Sequence, residues 1–530
     1  MTERRMTGRP ASPGLASGPV FTIGKPKPRT ERKAPAQEDG DAALRTAIDS
    51  ALVDLVSLVE AVDEEGADII GFQIAMLEDE ALSEGAFDAI AAGVPPVHAW
   101  RSALEAEIAD YERSEDAYFR ARGTDLADIR DRVLAHLTGA AESEKVPPGS
   151  VLVGEDLPPS LFLSVDWSKG GAIALGAGSP SSHVAMLARS RRVPMVTGLG
   201  ALEEASQAIV DGAAGTVTFD PDSASLADFG PALARRHEAD ARAETMKAEP
   251  VFLPNGTRVD IMINVASPDD LKGISPEICD GIGLVRTEFL FEPGRPLPDE
   301  EAQYAAYVAI AAWADGRPVT IRTLDAGGDK PIAGVTSDGE SNPFLGLRGL
   351  RLSLARPETF RVQLRALARA SLHHEIRIML PMVTVPGELA EASALLDEVV
   401  ASLIAEGTPC RRPPLGIMVE VPAAALGALR FPADFYSIGS NDLTQYTMAA
   451  ARDIADVAGL NDAGDPAVLE LMARAVGAGK ARKVPVSICG DAAGEVRLVP
   501  KLIGVGLTCL SVPPALVGAV KAAIADFKHV

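Results

Sequence analysis

Between Arg258 and Val512, eight short apolar segments alternate with helical stretches: Val259–Ile263, Gly281–Val285, Val319–Thr323, Ile376–Met382, Gly416–Val419, Phe435–Ile438, Val484–Ile488 and Cys509–Val512. No other feature narrows the fold so far. Neighbouring parallel strands need a long crossover, usually a helix, and eight such units over about 270 residues are the span of a closed (β/α)8 barrel. Reactive side chains of that architecture gather at the C-terminal ends of the strands. Arg286, Arg322, Glu420, Asn441 and Cys489 each follow a predicted strand directly or within a few residues. The spacing therefore predicts a fold and also the end of it that carries chemistry.

Upstream, Ala11–Thr22 reads as a turn and a short strand. From about Asp41 to Ala141 the apolar residues recur at helical spacing, as in Leu52, Leu55, Val56 and Val59 and again in Ile69, Ile70, Ile74 and Leu77. Pro147-Pro148-Gly149 breaks that pattern, and strands follow at Ser150–Val153, at Gly171–Leu175 and near Pro194–Val196. A helical block is thus expected inside a small α/β domain whose first strand precedes it. The predicted organisation is multidomain α/β: residues 1–35 and 146–222 form the α/β domain, 36–145 the helical insertion, 223–250 a linker helix and 251–530 the barrel.

Charge restricts the partners. The formal net charge is −24, which excludes a general nucleic-acid binder because phosphate backbones need a basic footprint. Between Asp41 and Lys145 there are 24 acidic and 8 basic residues, so the helical block holds two-thirds of the surplus. Either this is a solvated acidic face or it docks a basic protein. The chain has no run of about 18 apolar residues and no secretory leader, so no membrane span and a cytoplasmic location are expected. Its four cysteines, Cys279, Cys410, Cys489 and Cys509, are spaced as free thiols and not as a disulfide framework or zinc site.

Two segments carry chemistry. In Gly178-Ser-Pro-Ser-Ser-His183-Val-Ala-Met-Leu-Ala-Arg189, Ser181 and Ser182 can cap a helix beginning at His183, with Val184, Met186 and Leu187 packed inward. A first-turn histidine among small residues keeps its ring exposed, next to backbone N–H groups that favour an anion. An isolated capping-loop histidine would be the ordinary explanation. At the barrel ends, Arg286, Arg322 and Arg348 supply guanidinium groups suited to gripping phosphate, and Glu420 and Asp442 supply two hard oxygen ligands suited to Mg2+. Any one of these charges alone would be read as a structural ion pair.

The histidine segment resembles the phosphohistidine motif Gly-Gly-x-x-Ser-His-x-x-Ile-x-Ala-Arg, and Gly281 to Gly494 resembles almost continuously the barrel of enzyme I of the phosphoenolpyruvate:sugar phosphotransferase system. Ala11-Ser-Pro-Gly-Leu-Ala and Met76-Leu-Glu-Asp79 extend the likeness over most of the chain. What it implies is a phosphotransferase in which His183 takes phosphate from phosphoenolpyruvate and passes it to a histidine of the carrier HPr, which docks on the helical domain. It also implies Arg286, Arg322, Asn441 and Arg452 as phosphoenolpyruvate ligands, Glu420 and Asp442 as ligands of the Mg2+ cofactor, Cys489 as general acid, Arg189 as electrostatic support and a homodimer through the barrel. A thiol of ordinary pKa about 8.5 stays protonated at neutral pH yet can release a proton to a carbanion-like carbon. The α/β domain would be the swivelling phosphohistidine domain. Departures from the pattern are Ser179 for the second glycine, Phe162 for a ring-orienting threonine, Phe72-Gln73 for an Ala-His pair, and Asp453-Ile454 for Gly-Asn after Arg452. The alternatives are a donor to a regulatory or dihydroxyacetone-kinase carrier, and a non-catalytic protein that senses phosphoenolpyruvate; neither His183 nor Cys489 would be needed for sensing.

Overall fold

Short Val-, Ile- and Ala-rich runs in the first unit, Met1–Arg236, pair into one eight-stranded sheet, and those of the second unit, His237–Val530, close into a barrel. The computed structural model describes residues 3–23, 40–61, 64–113, 117–139, 146–180, 182–291, 295–328, 332–336, 340–451, 457 and 459–527.

The strands of the first unit are β1 (Arg4–Thr7), β2 (Arg9–Ser12), β3 (Leu15–Thr22), β4 (Val151–Gly154), β5 (Ala172–Leu175), β6 (Met195–Thr197), β7 (Gln207–Asp211) and β8 (Thr216–Phe219), in the order β1-β8-β7-β3-β4-β5-β6-β2. Strands β3 to β6 run parallel, with Val20 opposite Val151 and Val151 opposite Ala172. Between β3 and β4 the chain makes five helices, α1 (Gly40–Ala61), α2 (Glu64–Glu78), α3 (Glu80–Ala91), α4 (Pro96–Glu112) and α5 (Ala117–Thr138). Alternation along buried strands decides which core each side chain joins. Leu152, Ile173 and Leu175 pack with Leu44, Leu55, Trp100 and Leu126 of the helices, whereas Val151, Val153, Ala172 and Ala174 pack with Val210 and Val217 on the other face. Strands β1, β7 and β8 were not anticipated, nor was β2, whose Ala11-Ser12 end was expected to be a turn but pairs with β6. Arg4-Arg-Met-Thr7 carries no apolar run, and Gln207–Asp211 alternates over only five residues before the Gly212–Gly215 turn.

Two short helices follow β4 and β5, α6 (Pro159–Ser164) and α7 (His183–Ser190), and the connecting helix α8 (Ser223–Met246) spans the boundary between the units, as the Ala-, Arg- and Glu-rich composition of that stretch predicts.

In the second unit β9 (Val251–Phe252) lies antiparallel on β10 (Arg258–Val265), which opens a parallel series of β11 (Ile282–Val285), β12 (Val319–Arg322), β13 (Ile376–Leu380), β14 (Leu415–Val419), β15 (Tyr436–Ile438), β16 (Val486–Ile488) and β17 (Cys509–Val512). Pairing of β10 with both β17 and β11 closes the ring, with Ile263 opposite Val512. β11, β12 and β15 are each one residue shorter than predicted, and β13 and β16 two residues shorter, the last two because proline cannot donate to a ladder: β13 ends before Pro381 and β16 begins after Pro485. Val259, Ile261, Ile378, Ile417 and Ile438 face outward into the main core, while Leu284, Met379, Met418, Phe435 and Cys489 form a separate interior cluster. Gly416 makes room for that cluster, since a Cβ there would stand 2.5 Å from the Phe435 ring. All four cysteines are free, and among the described residues no helix is long and apolar enough to cross a membrane.

Candidate active site

The C-terminal ends of the barrel strands surround a cavity of about 270 Å³ lined by Leu284, Arg286, Arg322, Met418, Glu420, Gly439, Asn441, Asp442, Cys489, Gly490 and Asp491. Six of the predicted residues therefore meet in one place: Arg286, Arg322, Glu420, Asn441, Asp442 and Cys489. Arg348 lies behind the lining, fully buried, and Arg452 falls outside the described residues, as do Asp453 and Ile454. His183 belongs to the first unit.

Charge in the cavity is arranged unequally. Arg322 donates both bonds of one Nη2 to Glu288 at 3.1 Å and pairs with Asp325 at 3.2 Å, yet its buried Nε has no acceptor among the described residues. Arg286 has no ion pair or side-chain hydrogen bond among the described residues and sits half-buried in the wall. Unused guanidinium N–H groups in a concave surface are what an anion with several oxygens would satisfy. Deeper in, Arg348 donates from Nε and Nη2 to Asp325 at 3.2 and 3.1 Å, and from Nη1 and Nη2 to Asp442 at 3.0 and 3.2 Å. Both carboxylates hold its proton firmly, overriding the burial that opposes its charge. A buried bidentate network of this kind is costly to break from one side. Arg348→Met is expected to lower the stability of the barrel by about 3–5 kcal/mol, because Asp325 and Asp442 would be left facing each other. Urea unfolding of the full chain checks this, and pairing the change with Asp325→Asn should restore part of the loss.

Among the described residues of the site, carboxylates outnumber cations. Burial, and after it the neighbouring Asp442 and Asp325, push the Glu420 carboxyl well up from its ordinary value, despite Arg322 nearby and a 2.6 Å hydrogen bond from the Met382 N–H. Met382 holds that bond at a φ of 58°, a left-handed conformation that costs a residue of this type about 1–3 kcal/mol and is kept where the surroundings demand it. Glu420 and Asp442 thus form a crowded oxygen pair that a divalent cation would relieve. Among the described residues no cluster of three or more His, Cys, Asp or Glu side chains could hold a metal, so these two would leave coordination positions to water or substrate.

Cys489 sits at the end of β16 with its thiol donating to Ile438 O at 3.7 Å. Burial pushes the thiol up to about 11 and outweighs the lowering effects of Ser437, Arg322 and Arg286. It is therefore an uncharged acid at neutral pH. The next residue, Gly490, touches Ser440: a Cβ there would lie 1.9 Å from Ser440 Oγ. Asn441 donates to Asp491 at 2.9 Å and accepts from the Asp491 N–H at 2.8 Å, which fixes its amide plane. Glu288, Asp325 and Asp491 join the site without having been singled out from the sequence, although each lies within three residues of Arg286, Arg322 or Cys489.

In the first unit Ser182 caps α7, its Oγ accepting from the Ala185 N–H at 3.2 Å; Ser181 lies outside the described residues. Val184 and Leu187 are buried as expected, but Met186 is 38% exposed, because the inward stripe continues through Ala185 and Ala188 instead. The His183 ring is also less open than expected, with a side-chain exposure of 16% and Nδ1 3.6 Å from Oδ2 of Asp125 on α5. Arg189 donates to Pro180 O at 2.7 Å and Ala11 O at 2.8 Å, so it braces the loop before His183 against β2. Phe162 is fully buried against Trp167, with ring centroids 5.1 Å apart. Gln73 is buried too and donates to Asp128 at 3.2 Å. Ser179 precedes the cap at the positive-φ Gly178.

Residues 240–529 match the phosphoenolpyruvate-binding domain of the phosphoenolpyruvate-utilising enzymes, residues 7–122 their N-terminal domain and residues 146–215 their mobile domain. The chain is 36% identical over 480 residues to a phosphoenolpyruvate-protein phosphotransferase of Haloferax volcanii, covering 88% of this chain and 83% of that one. A phosphoenolpyruvate-protein phosphotransferase of Bacillus sp. strain S is 34% identical over 522 residues, covering 95% and 90%. A solution structure described as Enzyme I (nEIt) matches 44% of this chain and all but 1% of its own, with 25% identity and a TM-score of 0.35, its own coverage being 99%.

Proposed function

The chain belongs to the phosphoenolpyruvate-protein phosphotransferases, and from that premise we propose that His183 takes the phosphoryl group of phosphoenolpyruvate and hands it to a histidine of an HPr-like carrier, as in the first step of sugar phosphotransfer. The carrying observation is the barrel cavity, where Arg286 and the Nε of Arg322 have no partner among the described residues and face an anion site beside a thiol that stays protonated.

In this reading Arg286 and Arg322 grip the phosphate and carboxylate, with Asn441 and Arg452 completing the set. Arg348 acts from behind, holding Asp442 in place. Glu420 and Asp442 would hold Mg2+, which when bound supplies positive charge to the phosphoryl and enol oxygens. The His183 electron pair forms the N–P bond as the P–O bond to the enol oxygen breaks, and its electrons remain on the enolate. Cys489 then gives its thiol proton to the enolate carbon, producing pyruvate and a thiolate that regains a proton from water. The α/β portion of the first unit is the proposed phosphohistidine domain and swivels between donor and acceptor. The helical insertion is the proposed docking domain; its acidic surplus and the exposed Val53, Val56 and Phe72 on α1 and α2 suit a basic carrier with an apolar contact patch. The barrel is the proposed dimer interface.

Incubation with 32P-labelled phosphoenolpyruvate and Mg2+ is expected to label the protein with alkali-stable, acid-labile phosphate, and addition of purified HPr to discharge it. No uptake overturns the phosphotransfer reading. Uptake without discharge overturns HPr as the acceptor, and omission of Mg2+ without effect removes the metal from the proposal.

A further inference from the structure

We propose that Asp125 is a positioning residue for His183, holding the ring by its Nδ1–H so that the electron pair of Nε2 meets phosphorus. The inference rests on the reading that His183 carries the phosphoryl group, and adds which group orients the ring and why it is supplied by the helical insertion.

Three neighbouring side chains of α5 touch the α/β part of the same unit. Thr124 Oγ1 donates to Asp156 Oδ2 at 3.1 Å, Asp125 Oδ2 stands 3.6 Å from His183 Nδ1, and Asp128 accepts from Ser160 Oγ at 2.7 Å and Ser160 N at 3.2 Å. Asp128 also takes a bond from Gln73 on α2, so α5 is anchored on both sides of Asp125. The Asp125 side chain is 1% exposed, which denies it rotational freedom and much of its water. A separation of 3.6 Å is too long for a hydrogen bond but within the range that closes when a reacting complex forms.

Neutral imidazole carries its proton on one nitrogen and its electron pair on the other. A carboxylate facing Nδ1 favours the proton there and the pair on Nε2. During transfer that pair becomes the N–P bond, the P–O bond breaks toward the enolate oxygen, and the ring, still holding its Nδ1 proton, becomes positively charged. The Asp125 carboxylate lies beside that new charge, where a buried anion is worth more than one in water. Its role parallels that of any buried acid that fixes a tautomer without itself taking the proton.

The test is Asp125→Asn in the full-length protein. Expected are a phosphoryl uptake rate about 10- to 100-fold lower, an unchanged KM for phosphoenolpyruvate, and 15N shifts of the unphosphorylated His183 ring that move away from the Nδ1–H tautomer. Asp125→Glu should keep the wild-type tautomer and recover part of the rate, which also guards against a folding defect in the first variant. A wild-type rate in Asp125→Asn, or a slower rate with unchanged ring shifts, overturns the proposal. If the unmodified protein takes up no phosphate at all, the broader phosphotransfer reading fails, while the ring shifts still report whether Asp125 sets the tautomer.

Discussion

His183→Ala is expected to take up no phosphate from phosphoenolpyruvate, while binding of phosphoenolpyruvate to the barrel is unchanged. The argument is chemical. Alanine removes the atom proposed to form the bond to phosphorus, and among the described residues of the α7 cap Ser182 Oγ is already committed to the Ala185 N–H. The ligands proposed for phosphoenolpyruvate lie in the second unit and keep their own network of Glu288, Asp325, Asp442 and Asp491. Calorimetric binding and radiolabel uptake, measured side by side, separate the two halves of the claim. Label in the alanine variant would displace His183 from the mechanism; loss of binding would show that the variant had damaged more than the nucleophile.

Cys489→Ala is expected to form pyruvate about 10²- to 10⁴-fold more slowly, the usual range for deleting a positioned acid. The enolate carbon would have to take its proton from water. The thiol qualifies because burial raises it to about 11, so it is protonated at working pH and its alkaline limb falls near 11. The same shift has a thermodynamic side. A group whose pKa is higher in the folded state than in the unfolded state contributes stability below its unfolded value, and that contribution is lost as pH rises from about 9 toward 11. Coupled assay of pyruvate gives the rate, and turnover of stereospecifically 3-tritiated phosphoenolpyruvate in heavy water shows, from the chirality of the methyl group, whether the proton still arrives on one face. Turnover at the wild-type rate would remove Cys489 from its role.

Much of this architecture could be read before any coordinates, for a physical reason. Barrel strands buried on both faces are continuous apolar runs, so Ile282–Val285 and Leu415–Val419 stood out against helical neighbours. The strands that escaped notice are short or polar: β1 is Arg-Arg-Met-Thr, β2 is Arg-Pro-Ala-Ser, and β7 and β8 hold their place through antiparallel pairing that local periodicity does not encode. At the site, arginines and carboxylates at strand ends were visible, but which carboxylate meets which arginine depends on register. Arg348 was expected to face the anion, and lies instead between Asp325 and Asp442. Asp125 left a fainter trace. It and Asp128 sit three apart on a helix face shared with Leu126 and Ile129, and two acids in an apolar stripe call for a tertiary partner.

Closure of the barrel has a consequence for how the molecule is made. β10 cannot complete its pairing until β17, the last barrel strand in chain order, exists. A ribosome exposing the chain from its N-terminus must therefore release all eight strands before the ring can shut, leaving β10 to β16 to wait as a sheet with an open edge on either side. The first unit faces a milder delay, since β3 pairs with β7 some 190 residues later, still well ahead of the last barrel strand. Synthesis thus favours a sequence of events in which the histidine-bearing half matures first and chaperones are needed chiefly for the half that binds the phosphoryl donor.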